Sequence, residues 1–351
     1  MSYQVRLLPS NRTFEIALDE TVIDAAHRQS VALPYSCRDG SCGTCRGKVV
    51  RGEVKHDHYS PQALSEADHT QGMALFCQAR ACSDLVLEID LDKPRVQRLP
   101  SRVDQIDHLA HDVMRLFLKL PNGKKLSYIA GQYIDIIMSD GRHRTYSIAN
   151  APRDDGLIEL HIRNVEGGRF SDFVFHHLEQ KTILRIEGPM GAFYLREESP
   201  RPLLLVAGGT GLAPIKAIVE AALRSANPRP MLLYWGVRGR RDLYLKDTLD
   251  QWARQAHLRW IPVLSEADAE WTGRSGYVHQ AVMADIPDLA QYDVYAAGPP
   301  VMVGAVRNSF LGAGLPPVQL FHDAFEWALD TREAMQNPQT VAASKPRSSS
   351  T

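Results

Sequence analysis

The chain has 351 residues, is 44% hydrophobic and 23% charged, and carries a net charge of −1. That length accommodates two or three domains, and the near-neutral balance gives no global drive toward nucleic acid or an anionic membrane surface. No apolar run approaches the ~18 residues of a transmembrane helix, and the first residues alternate like a strand instead of forming a signal-peptide core.

In chain order, residues 3–9 and 13–18 read as two strands turning near Asn11 and Arg12. Thr21 reads as an N-cap for a short helix beginning Val22-Ile23. Then comes Cys37-Arg-Asp-Gly-Ser-Cys42-Gly-Thr-Cys45, three cysteines with four and then two residues between them, and a fourth, Cys77, in Met73-Ala-Leu-Phe-Cys77. This is the plant-type ligand spacing of a [2Fe–2S] cluster. A Gly-rich loop supplies three thiolates and a separate element supplies the fourth. Gly40 and Gly43 suit the positive φ and close backbone approach that such a loop needs. Structural zinc would show a second paired knuckle, which His56 and His58 do not make. A disulfide framework would suit a small secreted domain. The expected metal ligands are therefore Cys37, Cys42, Cys45 and Cys77. Thiolates kept for a metal imply a reducing compartment, so a cytoplasmic location is expected. Cys82, without a partner, is expected to be a small buried apolar residue.

Residues 48–54 and 85–89 read as returning strands, with the Cys77 segment strand-like between them and a polar, turn-rich 60–72. Residues 1–93 hold 10 Lys+Arg against 13 Asp+Glu, a mildly acidic unit. Residues 92–100, with Pro94 and Pro100, read as a linker. From Arg102 to about Tyr194, short strands such as 114–120, 133–138, 157–163 and 182–187, separated by turn clusters, predict an antiparallel barrel, interrupted by a helix near 171–178. After Pro202 the texture changes. Leu203-Leu-Leu-Val-Ala is a buried-type strand, and strand and helix then alternate through 215–226, 231–236, 246–256, 258–263, 277–285 and a last strand at 293–298. That alternation predicts a parallel α/β sheet. The last twenty residues, ending Ser-Lys-Pro-Arg-Ser-Ser-Ser-Thr, read as a disordered tail.

Four motifs carry further chemistry. Arg144-Thr-Tyr146-Ser147 offers a phosphate-binding cation, an aromatic ring for stacking and a hydroxyl. Gly167-Gly168-Arg-Phe-Ser171 places glycines and a hydroxyl at a helix N-terminus, where a pyrophosphate can sit. Gly208-Gly209-Thr210-Gly211 follows a buried strand and opens a helix, the context of a dinucleotide turn. It lacks the Gly-Lys-Ser/Thr of a phosphate-binding NTPase loop. Gly298-Pro299-Pro-Val-Met302 should face the same crevice beyond the strand ends. The histidine pairs His56/His58, His108/His111 and His176/His177 have no Cys-x-His companions and read as solvated surface.

Together these motifs carry a resemblance. Residues 1–93 resemble a plant-type ferredoxin, whose fold is a β-grasp. Residues 99 to about 327 resemble the ferredoxin–NADP reductase superfamily, through Gly131-Gln-Tyr, Arg144-Thr-Tyr-Ser, Gly188-Pro-Met-Gly, Gly208-Gly-Thr-Gly-Leu-Ala-Pro and Gly298-Pro-Pro-Val-Met. The whole chain is similar to three-domain reductase components of bacterial oxygenases and to the reductase of the CDP-6-deoxy-hexose dehydrase system. The implied architecture is multidomain: a β-grasp [2Fe–2S] ferredoxin domain at 1–93, an antiparallel β-barrel FAD domain at 99–197, an α/β Rossmann-like NAD(P) domain at 200–329, and the tail at 330–351.

The resemblance implies roles residue by residue. Arg144 would bind flavin phosphates, Tyr146 would stack on the isoalloxazine, and Ser147 would bond near its reactive nitrogen. Gly168 and Ser171 would hold the FAD pyrophosphate. Gly208, Gly209, Thr210 and Gly211 would bind the nicotinamide nucleotide, with Gly298, Pro299 and Met302 opposite. Phe325 would shield the flavin near the chain end. Asp323 and Glu326 could assist at the flavin, but surface carboxylates are the commoner reading of such residues. Many relatives carry cysteine before the Gly-Pro motif, and here it is Ala297.

The implied activity is a NAD(P)H-dependent reductase passing electrons from NADH through FAD and [2Fe–2S] to a separate protein acceptor, an oxygenase or dehydrase component. NAD(P)H gives hydride, the cluster takes one electron at a time, and FAD can do both. No side chain is expected to act as acid or base. Arg238, Arg240 and Arg241 stand where NADP enzymes hold the 2′-phosphate, but Asp242 follows, so NADH is expected over NADPH. Arg38, Asp39 and Ser41, between the ligands, are expected at the exit surface. The alternatives are a self-sufficient flavin or ferric reductase, and a ferredoxin-like electron carrier or redox sensor. No nucleic-acid or membrane partner is expected.

Overall fold

In a computed structural model, the described residues are 2–325 except 30, 32, 36–37, 39, 41–42, 44, 60–62, 65, 90–95, 226–227 and 255–256. The N-terminal unit contains β1 (Ser2–Leu8), β2 (Thr13–Ala17), α1 (Val22–Arg28), β3 (Arg46–Arg51), β4 (Val54–His56), α2 (Glu66–Thr70), β5 (Met73–Leu75), β6 (Ala79–Ala81) and β7 (Leu85–Glu88). Its main sheet has the order β2-β1-β7-β3-β5, with β1 and β7 parallel, the β-grasp arrangement. Alternation drives it: Val5 and Leu7 of β1 and Phe14 and Ile16 of β2 point inward and are buried. Thr21 caps α1 as its sequence predicts, its Oγ1 accepting the Asp24 N–H at 3.2 Å. The helix buries Val22, Ile23, Ala25 and Ala26 on the sheet.

The second unit contains β8 (Gln97–Ala110), β9 (Val113–Lys119), β10 (Tyr133–Ile137), β11 (His143–Ser147), β12 (Ile158–Arg163), α3 (Arg169–His176) and β13 (Ile183–Met190). Six antiparallel strands run β11-β10-β13-β8-β9-β12, and an Ile148–Leu160 bridge brings the two ends together. The sheet therefore closes into the expected barrel. Register shifts in β8 after Val103 and His108 give the extra twist that closure requires.

The third unit contains β14 (Leu203–Gly208), α4 (Leu212–Arg224), β15 (Met231–Val237), α5 (Lys246–Ala253), β16 (Leu258–Leu264), β17 (Arg274–Ser275), α6 (Val278–Asp285), β18 (Asp293–Gly298), α7 (Pro300–Gly312) and β19 (Leu320–Ala324). All neighbours in the order β17-β16-β15-β14-β18-β19 are parallel. Every residue of β14 is buried, because helices cover both faces of the sheet.

Several local expectations are corrected. Gln97–Pro100 are not linker: they pair with β13, Arg185 opposite Pro100. Pro100 is tolerated because β8 there runs past Lys119, the end of its other neighbour. Cys77 lies in the turn between β5 and β6 instead of a strand, and α2 occupies part of the polar stretch. Cys82 is exposed, not buried. Residues 293–298 are not the last strand, since β19 adds beside β18. The predicted tail lies outside the described residues.

Candidate functional site

Cys37 and Cys42 lie outside the described residues, as do Asp39 and Ser41. Cys45 and Cys77 are buried side by side, the Cys77 N–H donating to Cys45 Sγ at 3.4 Å. A backbone donor aimed at sulfur favours a thiolate and tunes a cluster held by it. Gly40 and Gly43 have φ of +82° and +71°. A Cβ on Gly40 would lie 3.0 Å from the His58 carbonyl and Tyr59 Cα, so the backbone approaches closely there. A Cβ on Gly43 would lie 3.3 Å from Ala192 Cβ of the barrel. This loop therefore rests one side on the second unit. Its described outer residue, Arg38, is exposed, with its guanidinium 4.5 Å from the Tyr35 ring centre and 3.6 Å from Asp24. The donor set, burial and loop shape fit a [2Fe–2S] cluster.

The barrel motif ends β11. Tyr146 packs its ring 5.5 Å from Phe170, and burial raises its hydroxyl pKa, keeping it neutral. Ser147 Oγ lies 3.4 Å from Asp323 Oδ2 of β19. Burial raises Asp323 to about 6, and the Ser147 hydrogen bond only partly opposes it. Asp323 is therefore not an ordinary surface carboxylate. Phe325 follows, its N–H donating to the Gly298 carbonyl at 2.9 Å. Tyr146, Ser147, Asp323, Phe325 and Gly298 thus converge where barrel and parallel sheet meet. Glu326 lies outside the described residues.

Gly168 caps α3, and a Cβ there would meet Ser171 Oγ at 2.5 Å. Ser171 is buried, and its Oγ donates to the Gly168 carbonyl at 2.9 Å and accepts from the Val165 N–H at 3.2 Å. Its hydroxyl shapes the turn from within, so it can act on a phosphate only through that shape.

In the third unit, Gly208, Gly209, Thr210, Pro299 and Met302 line one cavity of about 220 Å³, together with Arg163 of β12. A Cβ on Gly208 would lie 2.4 Å from Met302 Sδ, and one on Gly211 would lie 2.0 Å from the Ala297 carbonyl oxygen. These glycines exist because two loops touch there, at the C-terminal ends of β14 and β18. Crevices of this kind beyond strand ends hold nucleotides in open α/β sheets. Missed by sequence reasoning were Asp112 and Arg163, paired at 2.8 Å on the barrel side of the cavity. Asp112 sits in the turn between β8 and β9 and Arg163 at the end of β12, and nothing local marks either.

Most of the histidine pairs are exposed as expected. His56 is the exception: it is half-buried and accepts the Leu75 N–H through Nε2 at 3.2 Å, and burial lowers its pKa. Among the described residues no helix is long and apolar enough to cross a membrane.

The fold and the cysteine, barrel and cavity geometry define an iron–sulfur flavoprotein reductase. The comparisons agree. Residues 5–82 match a 2Fe-2S iron-sulfur cluster binding domain, 100–194 an oxidoreductase FAD-binding domain and 205–308 an oxidoreductase NAD-binding domain. The chain is 41% identical over 330 residues to the CDP-6-deoxy-L-threo-D-glycero-4-hexulose-3-dehydrase reductase of Yersinia pestis, spanning 93% of this chain and 99% of that one. It is 34% identical to reductase component 1 of the terephthalate 1,2-dioxygenase of Comamonas sp., over 93% and 98%. The crystal structure of the Amycolatopsis cytochrome P450 reductase GcoB matches with a TM-score of 0.70 at 33% identity, over 92% and 98%. The chain belongs to the three-domain ferredoxin–NAD(P)H reductase family. It is a NAD(P)H-dependent oxidoreductase using FAD and a [2Fe–2S] cluster.

Proposed function

We propose that this chain delivers electrons from NADH, one at a time, to a separate protein of the hexose-dehydrase class. The observation that carries the acceptor class is the 41% identity over nearly the full length of both chains. The oxygenase reductases, at 34%, support an oxygenase component as the second reading. FAD supplies the conversion of a hydride into single electrons. The chain's own residues bind and orient: Arg144 and the Gly168 turn for flavin phosphates, Tyr146 and Phe325 against the ring, and the 208–211 and 298–302 loops for the nicotinamide nucleotide. Ser147 and Asp323 stand ready to carry away the proton left when hydride is split into electrons. Electrons enter the cluster loop on the Gly43–Ala192 side and leave on the Arg38 side. The purified protein should carry one FAD and about two irons, and anaerobic NADH should reduce both centres. Centres that stayed oxidised would sink the proposal. Adding the purified dehydrase or oxygenase component then decides between acceptors.

Charge reversal in Arg38→Glu should slow transfer to the cognate acceptor about tenfold at low salt, and less at higher ionic strength. Stopped-flow flavin reduction by NADH should be unchanged. A change in flavin reduction instead would show that the exit surface is misplaced.

NADH preference rests on the residues after β15. Arg240 is committed to Asp268 at 2.7 Å and stacks on Trp271. Asp242, which accepts the Gly239 N–H at 2.9 Å, lines the cavity and would repel a 2′-phosphate. The kcat/KM for NADH should exceed that for NADPH by about tenfold, roughly 1.4 kcal/mol of discrimination. Equal values would remove the preference.

Asp323 gives a pH signature. Its folded pKa of about 6 lies above the unfolded value near 3.9. The neutral carboxyl is therefore favoured by folding: its contribution is full below pH ~4 and is lost as pH rises through 6. Two pKa units amount to about 3 kcal/mol. Thermal melts of Asp323→Asn should lack that pH-dependent loss. Parallel wild-type and variant profiles between pH 4 and 7 would show that Asp323 does not titrate as assigned.

A further inference from the structure

A buried charge network joins the second and third units and touches the cavity of about 220 Å³ through its Tyr244 member. Lys216 of α4 is 5% exposed. Its Nζ donates to Glu159 Oε2 of β12 at 2.8 Å, to Glu220 Oε1 at 2.7 Å and to the Ala149 carbonyl at 3.0 Å. Glu220 Oε2 accepts the Ala151 N–H at 2.9 Å. Segment 149–151 is held from its other side by β12: the Ala149 N–H donates to the Glu159 carbonyl, and the Glu159 N–H donates to Asn150 Oδ1, both at 2.8 Å. Glu159 Oε1 accepts from His161 Nε2 at 3.0 Å, and His161 Nδ1 accepts from the Tyr244 hydroxyl at 3.2 Å. Burial keeps His161 neutral, consistent with that tautomer. Burial would also raise Glu159, but the His161 hydrogen bond and the Lys216 ammonium overcome it and hold the carboxyl at about 2. Glu159 is therefore ionised across the physiological range.

Position gives the network its meaning. Ala149 lies two residues past Ser147, the end of the flavin strand. Lys216 lies five residues past Gly211, the end of the nicotinamide turn, and the intervening chain is helix. Both segments are short, so a displacement at Lys216 moves the turn relative to the strand. Buried charges of this kind contribute little net stability over an apolar contact of the same shape. What they add is a directional attachment with a single geometry.

We propose that Lys216, with Glu220, is a positioning residue that sets the nicotinamide turn against the flavin strand for hydride transfer. The inference rests on the assignment of 208–211 to the nicotinamide nucleotide and of 144–147 to the flavin. Reacting atoms must stand about 3–3.5 Å apart, and a 1 Å misplacement can cost about a hundredfold in rate.

The test uses the FAD- and cluster-loaded protein carrying Lys216→Met. Because that change strands the buried Glu159 carboxylate, the double variant Lys216→Met/Glu159→Gln, which removes that buried charge and leaves only the partly exposed Glu220 carboxylate without its lysine, is measured beside it. Stopped-flow titration with NADH separates the dissociation constant from the limiting rate of flavin reduction. The expected result is a limiting rate ten- to a hundredfold lower in the double variant, with NADH affinity within about threefold of wild type. The isotope effect with NADH deuterated at the transferred position should rise as hydride transfer becomes limiting. Hydrogen exchange at residues 149–151 should also quicken in the loaded Lys216→Met protein. A limiting rate within twofold of wild type in the double variant would overturn the proposal. Loss of FAD from both variants would overturn it too, since the network would then be a fold element of the barrel. Thr210→Val and Ser147→Ala, run in the same assay, separate this failure from that of the underlying assignment. If neither alters flavin reduction by NADH, the assignment has failed; if they do and the double variant does not, only the positioning role has.

Discussion

Cys45→Ser removes electron transfer to one-electron protein acceptors while NADH still reduces the flavin. Cys45 is buried, and its sulfur accepts the Cys77 N–H. A serine oxygen is a poor substitute for a thiolate at a soft iron site. The variant should lose the visible cluster absorbance and about two irons per chain. Reduction of ferric cytochrome c by NADH should fall at least a hundredfold, a loss of roughly 3 kcal/mol or more in the transfer barrier. Flavin bleaching by NADH, measured anaerobically, should stay within about threefold, because the barrel–sheet crevice is untouched. Retention of half or more of the cytochrome c activity would favour the self-sufficient flavin reductase and refute the relay.

Gly211→Ala separates the two halves of the reaction in the opposite direction. Helix propensity alone would favour alanine by about 1 kcal/mol, and Gly211 has φ of −57°, which any residue adopts. Sterics decide otherwise. The new Cβ would lie 2.0 Å from the Ala297 carbonyl oxygen, 2.5 Å from its carbon and 2.7 Å from Gly298 Cα. All three are backbone atoms at the end of β18, so no side-chain rotation relieves the overlap. The turn must leave β18, at a cost of about 3 kcal/mol of overpacking. NADH-dependent flavin reduction should fall about a hundredfold, whereas FAD content and reduction of flavin and cluster by dithionite should be normal. A variant that melts like wild type and reduces at the wild-type rate would show that β14 and β18 are not in the contact described.

The cysteine spacing, the period-2 strands and the change to strand–helix alternation after Pro202 made the three main sheets legible in the sequence. Each is a local signal: ligand spacing is set by one loop, and alternation by which face of a strand meets the core. Local signals failed where a neighbour distant in sequence decides. Gln97–Pro100 look like a linker by composition, but pairing with β13 makes them strand. Leu320–Ala324 drew no prediction because β18 recruits them as an edge. Cys82 looked apolar by residue type, yet its place after β6 leaves it exposed.

The same division holds for the site. By itself the sequence determined which motifs this protein carries and in what order, because cluster loop, Arg144-Thr-Tyr-Ser and Gly208–Gly211 are each complete within a few residues. Only the tertiary structure decided how they face one another. Ser147 meets Asp323 across 176 positions at 3.4 Å, and burial at that meeting of barrel and sheet turns a nominal surface carboxylate into a half-buried acid of raised pKa. Lys216 reaches Glu159 across 57 positions, an attachment no spacing rule describes. Desolvation and hydrogen-bond geometry depend on every element packed around a group, and those are settled only when the three sheets have come together.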